Sequence, residues 1–250
     1  MDQIAWHEDD RFWKIMAPYL FPTIRWTAAA GQVEQLLTLA GATDGAPVLD
    51  LCCGPGRHAL ELAKRGFAVT AVDRTRSYLD EARERAVRAG VTVEFIQEDM
   101  RRFRRPESFD LVINLFTSFG YFEGDEDRQV LDCVFESLRP GGVLVIELMG
   151  KETIARIFRA SNWSQEEDGT FFLEERRLSD DWSRIHNRWV LIREGHIEEV
   201  RLDHRLYAAS ELTELLRAGG FESVAAYGGL EGSPYGPTAS RLVVTGTRPR

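Results

Sequence analysis

Three aspartates stand at the ends of apolar runs in the first half of the chain: Asp50 in PVLDL, Asp73 closing FAVTAVD, and Asp99 in FIQEDM. Between the first two lies Cys52-Cys53-Gly54-Pro55-Gly56, followed by an amphipathic stretch that begins Arg57-His58. A strand, a glycine-rich turn and a helix aim backbone N–H groups and a helix N-terminus at a ligand. Gly54 and Gly56 keep Cβ atoms out of that approach. Asp73 suits the two hydroxyls of a ribose. Gly54-x-Gly56-x-x-Ala59 followed by Asp73 fits the dinucleotide fingerprint, which alone does not separate a nicotinamide cofactor from other adenosine ligands. A P-loop is excluded, because no Gly-Lys-Ser/Thr closes the turn. Asp50, four residues before Gly54, would repel a pyrophosphate and attract an amino group. Asp99 suits an exocyclic adenine amine. The three acids describe a ligand with an ammonium, a ribose and an adenine.

Plainer roles compete. Asp50 can accept from neighbouring amides, and Asp73 can cap the next helix; the concurrence of three acids with the turn favours the ligand. Cys52, Cys53 and His58 raise a metal or a thiolate nucleophile. No second histidine stands close by, so no metal is expected, and His58 is placed in the first helical turn near the cofactor. The four arginines of Met100–Arg105 can bind phosphate, but a solvated loop is favoured. His186, His196 and His204 alternate through a β-rich stretch, as surface or core residues do. Trp6, Trp13, Trp26 and Tyr19 suit either a lid or a packed apolar face.

The elements that must hold these residues follow from periodicity. From Pro47 strands and helices alternate through VLDL, RHALELAKRG, FAVTAVD, SYLDEARERAVRAG, VTVEFIQED, FDLVINLF, a helix ending at Pro-Gly-Gly, and VLVIEL. That alternation means a parallel sheet flanked by helices. Gly41, Gly66 and Gly90 read as helix stops. Residues 170–207 hold short alternating runs, with turns at Ser179–Asp181 and Glu194–Gly195: an antiparallel insertion of three or four strands. A helix with Ser210 as its N-cap and two strands finish the chain. The expected units are an N-terminal helical cap at 1–45, a core at 46–150, the insertion at 151–206, and a helix and strand pair at 207–250 completing the core.

The 250 residues carry a net charge of −9, which argues against a nucleic-acid partner. Three cysteines cannot all pair, and Cys52 and Cys53 are adjacent; reduced thiols in a cytoplasmic protein are expected. The acidic N-terminus lacks an apolar core, and no apolar run approaches a membrane span, so neither a signal peptide nor a membrane partner is expected.

VLDLCCGPG, Asp73, EDM at 98–100, RPGGVLVIE and LTELLRAGGF appear in the order found in the class I S-adenosylmethionine-dependent methyltransferases, which the chain resembles over about 46–150 and 207–250. NLFTSFGYF and the stretch from RLYAASEL to SRLVV further resemble a bacterial subset acting on small molecules. The resemblance implies a doubly wound, mostly parallel seven-stranded Rossmann-like α/β sheet with helices on both faces. It implies S-adenosylmethionine as cofactor, released as S-adenosylhomocysteine. Asp50, Cys52, Gly54 and Gly56 would lie near the methionine moiety. Asp73 would hold the ribose, with Arg74 beside the adenine. Asp99 and the Met100 backbone would read the adenine, and Asn114 and Leu115 would face the sulfonium. Cys52-Cys53 departs from the Gly-Cys of many relatives.

A sulfonium methyl needs an aligned nucleophile and a dry site more than a special residue. Where the acceptor must lose a proton, Tyr121 and His204 are the catalytic candidates, with Glu147 and Tyr207 behind them. Phe119, Tyr121, Glu147, Trp163 and Tyr207 are expected around the acceptor, whereas Phe116 is expected in the core. The expected reaction moves a methyl to N, O, S or C of a small molecule. The insertion would cover the acceptor or form a homodimer surface. The alternatives are a nicotinamide-dependent oxidoreductase, against which Asp50 and Asp99 speak, and a protein that binds the cofactor without turning it over.

Overall fold

The protein is described by a computed structural model over residues 4–122 and 125–250. A 3-10 turn at Trp6–Glu8 leads into α1 (Asp10–Leu20) and α2 (Thr23–Ala40). The core follows as β1 (Pro47–Leu51), α3 (Arg57–Lys64), β2 (Ala68–Asp73), α4 (Arg76–Ala89), β3 (Glu94–Gln97), β4 (Phe109–Asn114), α5 (Glu126–Ser137) and β5 (Leu138–Leu148). Next come α6 (Lys151–Ile157) and the strands β6 (Ser161–Gln165), β7 (Phe171–Leu178), β8 (Arg184–Arg193) and β9 (His196–Arg205). The chain closes with α7 (Ala209–Ala218), β10 (Glu222–Tyr227) and β11 (Leu242–Thr247).

The large sheet has seven strands in the order β10-β11-β5-β4-β1-β2-β3, parallel from β5 to β3 and antiparallel where β11 joins β5 and β10. The strand order reverses between β1 and β4. The crevice outside their carboxyl ends is where an open α/β sheet binds its ligand. Val48, Leu49, Val112 and Ile113 are almost wholly buried, so the two central strands are anchored on both faces. One apolar cluster packs Val33 and Leu36 of α2 against the sheet, and another packs Leu131 and Val134 of α5 against it.

Gly41 and Gly90 end α2 and α4 in the left-handed conformation, at φ 61° and 66°, as their positions suggest. The N-cap expected at Ser210 is corrected. Helix α7 begins at Ala209, so Ser210 lies inside its first turn, and the Ala208 N–H donates to the Glu211 carboxylate at 2.8 Å. The insertion is a four-stranded antiparallel sheet, β6-β7-β8-β9, that starts at Ser161 rather than near 170. β6 reads SNWSQ and is exposed throughout, which hides it from a search for alternating apolar residues.

Gly56 is where a glycine is obligatory. It has φ 84°, and a Cβ there would stand 3.0 Å from the Cβ of Ala82 in α4. Its smallness serves helix packing more than ligand approach. Gly56→Ala is expected to lower the unfolding free energy by about 1–3 kcal/mol, the cost of a non-glycine residue in this region, as read by urea denaturation.

Candidate functional site

A cavity of about 900 Å³ opens at the carboxyl ends of β1, β2 and β4, between the N-terminal segment and the insertion. Its floor is the turn after β1. Cys52 is at φ 64° and Gly54 at φ 56°, so the backbone curls back on itself beside the strand. The Gly54 N–H donates to Asp73 Oδ2 at 2.8 Å, and the Thr75 N–H to Asp73 Oδ1 at 2.7 Å. One carboxylate thus ties the turn after β1 to the turn after β2. Burial raises the Asp73 pKa, and those two amides oppose the rise.

Asp50 is 2% exposed, and its Oδ2 has no hydrogen-bond partner. Burial pushes its pKa to about 7, with the Arg57 charge pulling down and Asp73 pushing up. A buried carboxylate oxygen without a donor is costly, and a ligand ammonium would satisfy it. Beside it, Arg57 is also buried. Its Nη1 donates to the Arg25 carbonyl and to Gln32 Oε1, each at 3.1 Å. Burial lowers the Arg57 pKa to about 10, so the guanidinium stays charged at neutral pH. Arg25 and Arg57 stand 4.3 and 4.6 Å from the centre of the Phe116 ring. Neither has a carboxylate within 4 Å among the described residues.

Of the residues expected around the cofactor, Asp50, Cys52, Gly54, His58, Asp73, Arg74, Asp99, Met100 and Leu115 line the cavity. Gly56 and Asn114 do not: Gly56 faces α4, and Asn114 lies beneath, its Nδ2 donating to the Leu51 carbonyl at 3.2 Å. The Asn114 Oδ1 is buried without a partner. His58 Nε2 lies 3.0 Å from Gln32 Oε1, and burial lowers the ring's pKa well below the usual value. The Cys52 Sγ lies 3.2 Å from the Met100 Sδ. Burial and the nearby acids push its thiol pKa well up, which removes the thiolate nucleophile. No group of three potential metal ligands occurs among the described residues.

Two expected contacts change character. Arg74 turns to the N-terminal segment, donating to the Glu8 carbonyl at 2.6 Å and to Asp10 Oδ1 at 3.0 Å. Asp99 is gripped by Arg101, with Nε to Oδ1 at 3.0 Å and Nη2 to Oδ2 at 2.6 Å. Burial alone would raise the Asp99 pKa, but the Arg101 hydrogen bonds outweigh it and hold the carboxyl below its usual value. Arg101 also pairs with Glu8 and Glu126, while Arg102, Arg104 and Arg105 pair with Glu98, Glu136 and Glu94. The basic run is therefore neutralised, as a solvated loop would be. Trp6 and Trp13 line the cavity, whereas Tyr19 packs on Phe172 and Trp26 under Arg85.

The acceptor side needs more correction. Phe119 is 1% exposed and packs on Tyr207 in the core; Tyr207 donates to Asp127 at 2.6 Å. Glu147 sits behind the wall, accepting the Phe116 N–H at 2.7 Å and pairing with Arg241. Trp163 is 66% exposed on β6, outside the cavity. Phe116, expected in the core, lines the cavity instead, because φ 63–64° at Phe116 and Thr117 swings the chain outward after β4. Tyr121 and His204 do line it, with ring centres 5.5 Å apart. Burial raises the Tyr121 pKa far above neutrality. His204 is wedged between two carbonyls, Nδ1 at 2.7 Å from Arg205 O and Nε2 at 3.1 Å from Thr117 O. Burial lowers the pKa of the ring, and a neutral ring donates from only one nitrogen, so the other turns its lone pair toward a carbonyl and not into the cavity. His204 clasps the insertion to the loop after β4, as does the Arg205 N–H, which donates to the Gly120 carbonyl at 2.8 Å.

A family model described as a methyltransferase domain matches residues 48–142. The Bacillus subtilis protein named "Putative methyltransferase YqeM" is 30% identical over 182 residues, covering 70% of this chain and 73% of that one. The chain belongs to the S-adenosylmethionine-dependent methyltransferase family. The match to the Streptomyces venezuelae dTDP-3-amino-3,4,6-trideoxy-alpha-D-glucopyranose N,N-dimethyltransferase is shorter, 30% identical over 123 residues, covering 49% of this chain and half of that methyltransferase. A solved S-adenosylmethionine-dependent methyltransferase from Clostridium acetobutylicum has the same fold, with a TM-score of 0.79 at 15% identity, covering 96% of this chain and 99% of that one. The family decides against the nicotinamide-dependent oxidoreductase. No helix among the described residues is long and apolar enough to cross a membrane.

Of the methyltransferase's cavity residues, Arg25, Arg57 and Phe116 were missing from the sequence-derived site. Arg57 had a signal, since it follows the turn glycines directly; Arg25 lies in a helix with no local motif.

Proposed function

We propose that the chain transfers the methyl of S-adenosylmethionine to a nitrogen or oxygen of a small molecule, and that the cavity holds both partners. The observation that carries this reading is the orphaned Asp50 Oδ2 at the floor of the cavity. Asp50 accepts from the methionine ammonium, and Arg25 and Arg57 hold the methionine carboxylate. Asp73 keeps lone pairs beyond its two amides for the ribose hydroxyls. With Asp99 committed to Arg101, the main chain at Met100 reads the adenine. The bound cofactor supplies an electrophilic methyl on a sulfonium. The protein orients the acceptor, and the aromatic lid of Trp6, Trp13 and Phe21 excludes water. The small-molecule acceptor is supported by the sugar methyltransferase among the relatives and by the concave cavity of about 900 Å³.

Calorimetric titration with S-adenosylmethionine, S-adenosylhomocysteine and NADH tests the proposal. Binding of the first two alone is expected; binding of NADH alone would overturn it. Release of S-adenosylhomocysteine across a panel of amines and alcohols separates an enzyme from a mere binder.

Of the two candidates for a base, Tyr121 is held protonated at neutral pH by burial, and His204 is engaged by two carbonyls. A general base contributes about 10²–10⁴-fold. Tyr121→Phe is therefore expected to keep kcat within about tenfold of the parent in steady-state assays, and a loss of a hundredfold or more would restore the phenol to the reaction.

A further inference from the structure

The carboxylates lining the cavity are confined to the β1–β3 part of the sheet, where Arg25, Arg57 and Arg74 also line it. Its four carboxylates are Asp50 and Asp73, at the carboxyl ends of β1 and β2, and Glu98 and Asp99, directly after β3. On the opposite side, from Met149 onward, the charged lining residues are Arg156, Arg159 and Arg176, with Asn162 and Asn187 between them. Arg176 is already paired with Glu174. Arg156 donates only to a main-chain carbonyl, that of Ala239 at 2.8 Å, and Arg159 has no partner among the described residues. In a chain of net charge −9, two guanidiniums at one mouth of a cavity stand without a carboxylate. A guanidinium presents a planar fork of donors that matches carboxylate and phosphate oxygens.

We propose that the acceptor is an anionic small molecule whose carboxylate or phosphate group is held by Arg156 and Arg159, at the end of α6 and in the turn leading to β6. The proposal rests on the methyltransferase reading of the cavity and names the acceptor's charge class. Anchoring the anion at this mouth leaves the rest of the acceptor extended toward Tyr121 and the cofactor half. The apolar wall of Ile154, Ile157 and Phe158 flanks it. A negative group also gains from the positive sulfonium. A cationic acceptor would meet the arginines unfavourably.

The test uses the full chain saturated with S-adenosylhomocysteine and titrated by calorimetry with inorganic pyrophosphate and, separately, malonate. Millimolar or tighter binding of at least one anion is expected, weakened tenfold or more in the double variant Arg156→Gln/Arg159→Gln. Affinity for S-adenosylhomocysteine is expected to match the parent in that variant. Binding of pyrophosphate alone assigns a phosphate, and binding of malonate alone a carboxylate. Absence of binding by both anions overturns the proposal, as does binding that the double substitution leaves unchanged. Failure of S-adenosylhomocysteine to bind the parent would instead remove the methyltransferase reading beneath it.

Discussion

Asp50→Asn is expected to weaken S-adenosylhomocysteine binding roughly 10- to 100-fold while leaving the free protein as stable as the parent, or more so, at pH 8. The loss corresponds to about 1.5–3 kcal/mol, the scale of a hydrogen bond to a charged group. The two effects differ because the carboxylate serves the ligand and burdens the fold. Its Oδ2 is buried without a donor in the free protein. A substitution that merely damaged the core would lower both quantities. Calorimetry and thermal unfolding on the same variant distinguish the cases.

The same residue sets a pH dependence with a definite sign. Burial raises the Asp50 pKa from 3.8 to about 7. Between about pH 4 and 7 the native protein holds a proton that the unfolded chain has lost. Stability of the free protein therefore falls as pH rises through that window. The ammonium of the cofactor favours the ionised carboxylate, so binding below about pH 7 releases the proton. Affinity is expected to climb with pH toward 7, by up to about tenfold per unit, and then to level off. Asp50→Asn should flatten the curve. A parent curve already flat between pH 5 and 7 would remove the ammonium contact.

Asp73→Ala is expected to reduce both stability and cofactor affinity. The side chain holds two backbone N–H groups, of Gly54 and Thr75, and both lose their acceptor when it is removed. Each orphaned amide costs about 1–3 kcal/mol, so a loss of a few kcal/mol in unfolding free energy is expected, read by urea denaturation. The ribose contact goes with it. The conservative Asp73→Glu keeps the charge but displaces the oxygens, and it should recover part of the stability and little of the binding. If Asp73→Ala unfolds like the parent yet loses the cofactor, Asp73 acts on the ribose alone and the tie between the two turns is unimportant.

Much of the molecule was legible in the residue order because the relevant signals are local. Period-two and period-3.6 apolar runs mark strands and helices, and glycines at φ 61° and 66° end two of the helices. The turn after β1, with acids at the ends of two neighbouring strands, is also local. A parallel sheet must bring those strand ends to one edge. Asp50, Asp73 and Asp99 therefore meet in one cavity, as their spacing requires.

The acceptor side was not legible, because it is built from residues far apart in the chain. Which aromatic near the end of β4 faces the cavity depends on φ 63–64° at Phe116 and Thr117. No sequence rule predicts left-handed backbone at a bulky pair. Phe116 came out of the core and Phe119 went into it, three residues apart on opposite sides of one turn. Trp163 was misplaced because β6 is an exposed edge strand without apolar alternation. His204 looked like a base from its type; only the packed geometry shows two carbonyls closing on its nitrogens. Asp99 looked free until Arg101, two residues on, folded back to grip it. Local periodicity and turn chemistry settle the elements and the cofactor edge of the sheet. The partners of each side chain and the face that each loop residue presents are settled by long-range packing, which is where burial and unpaired hydrogen-bonding groups acquire their energies.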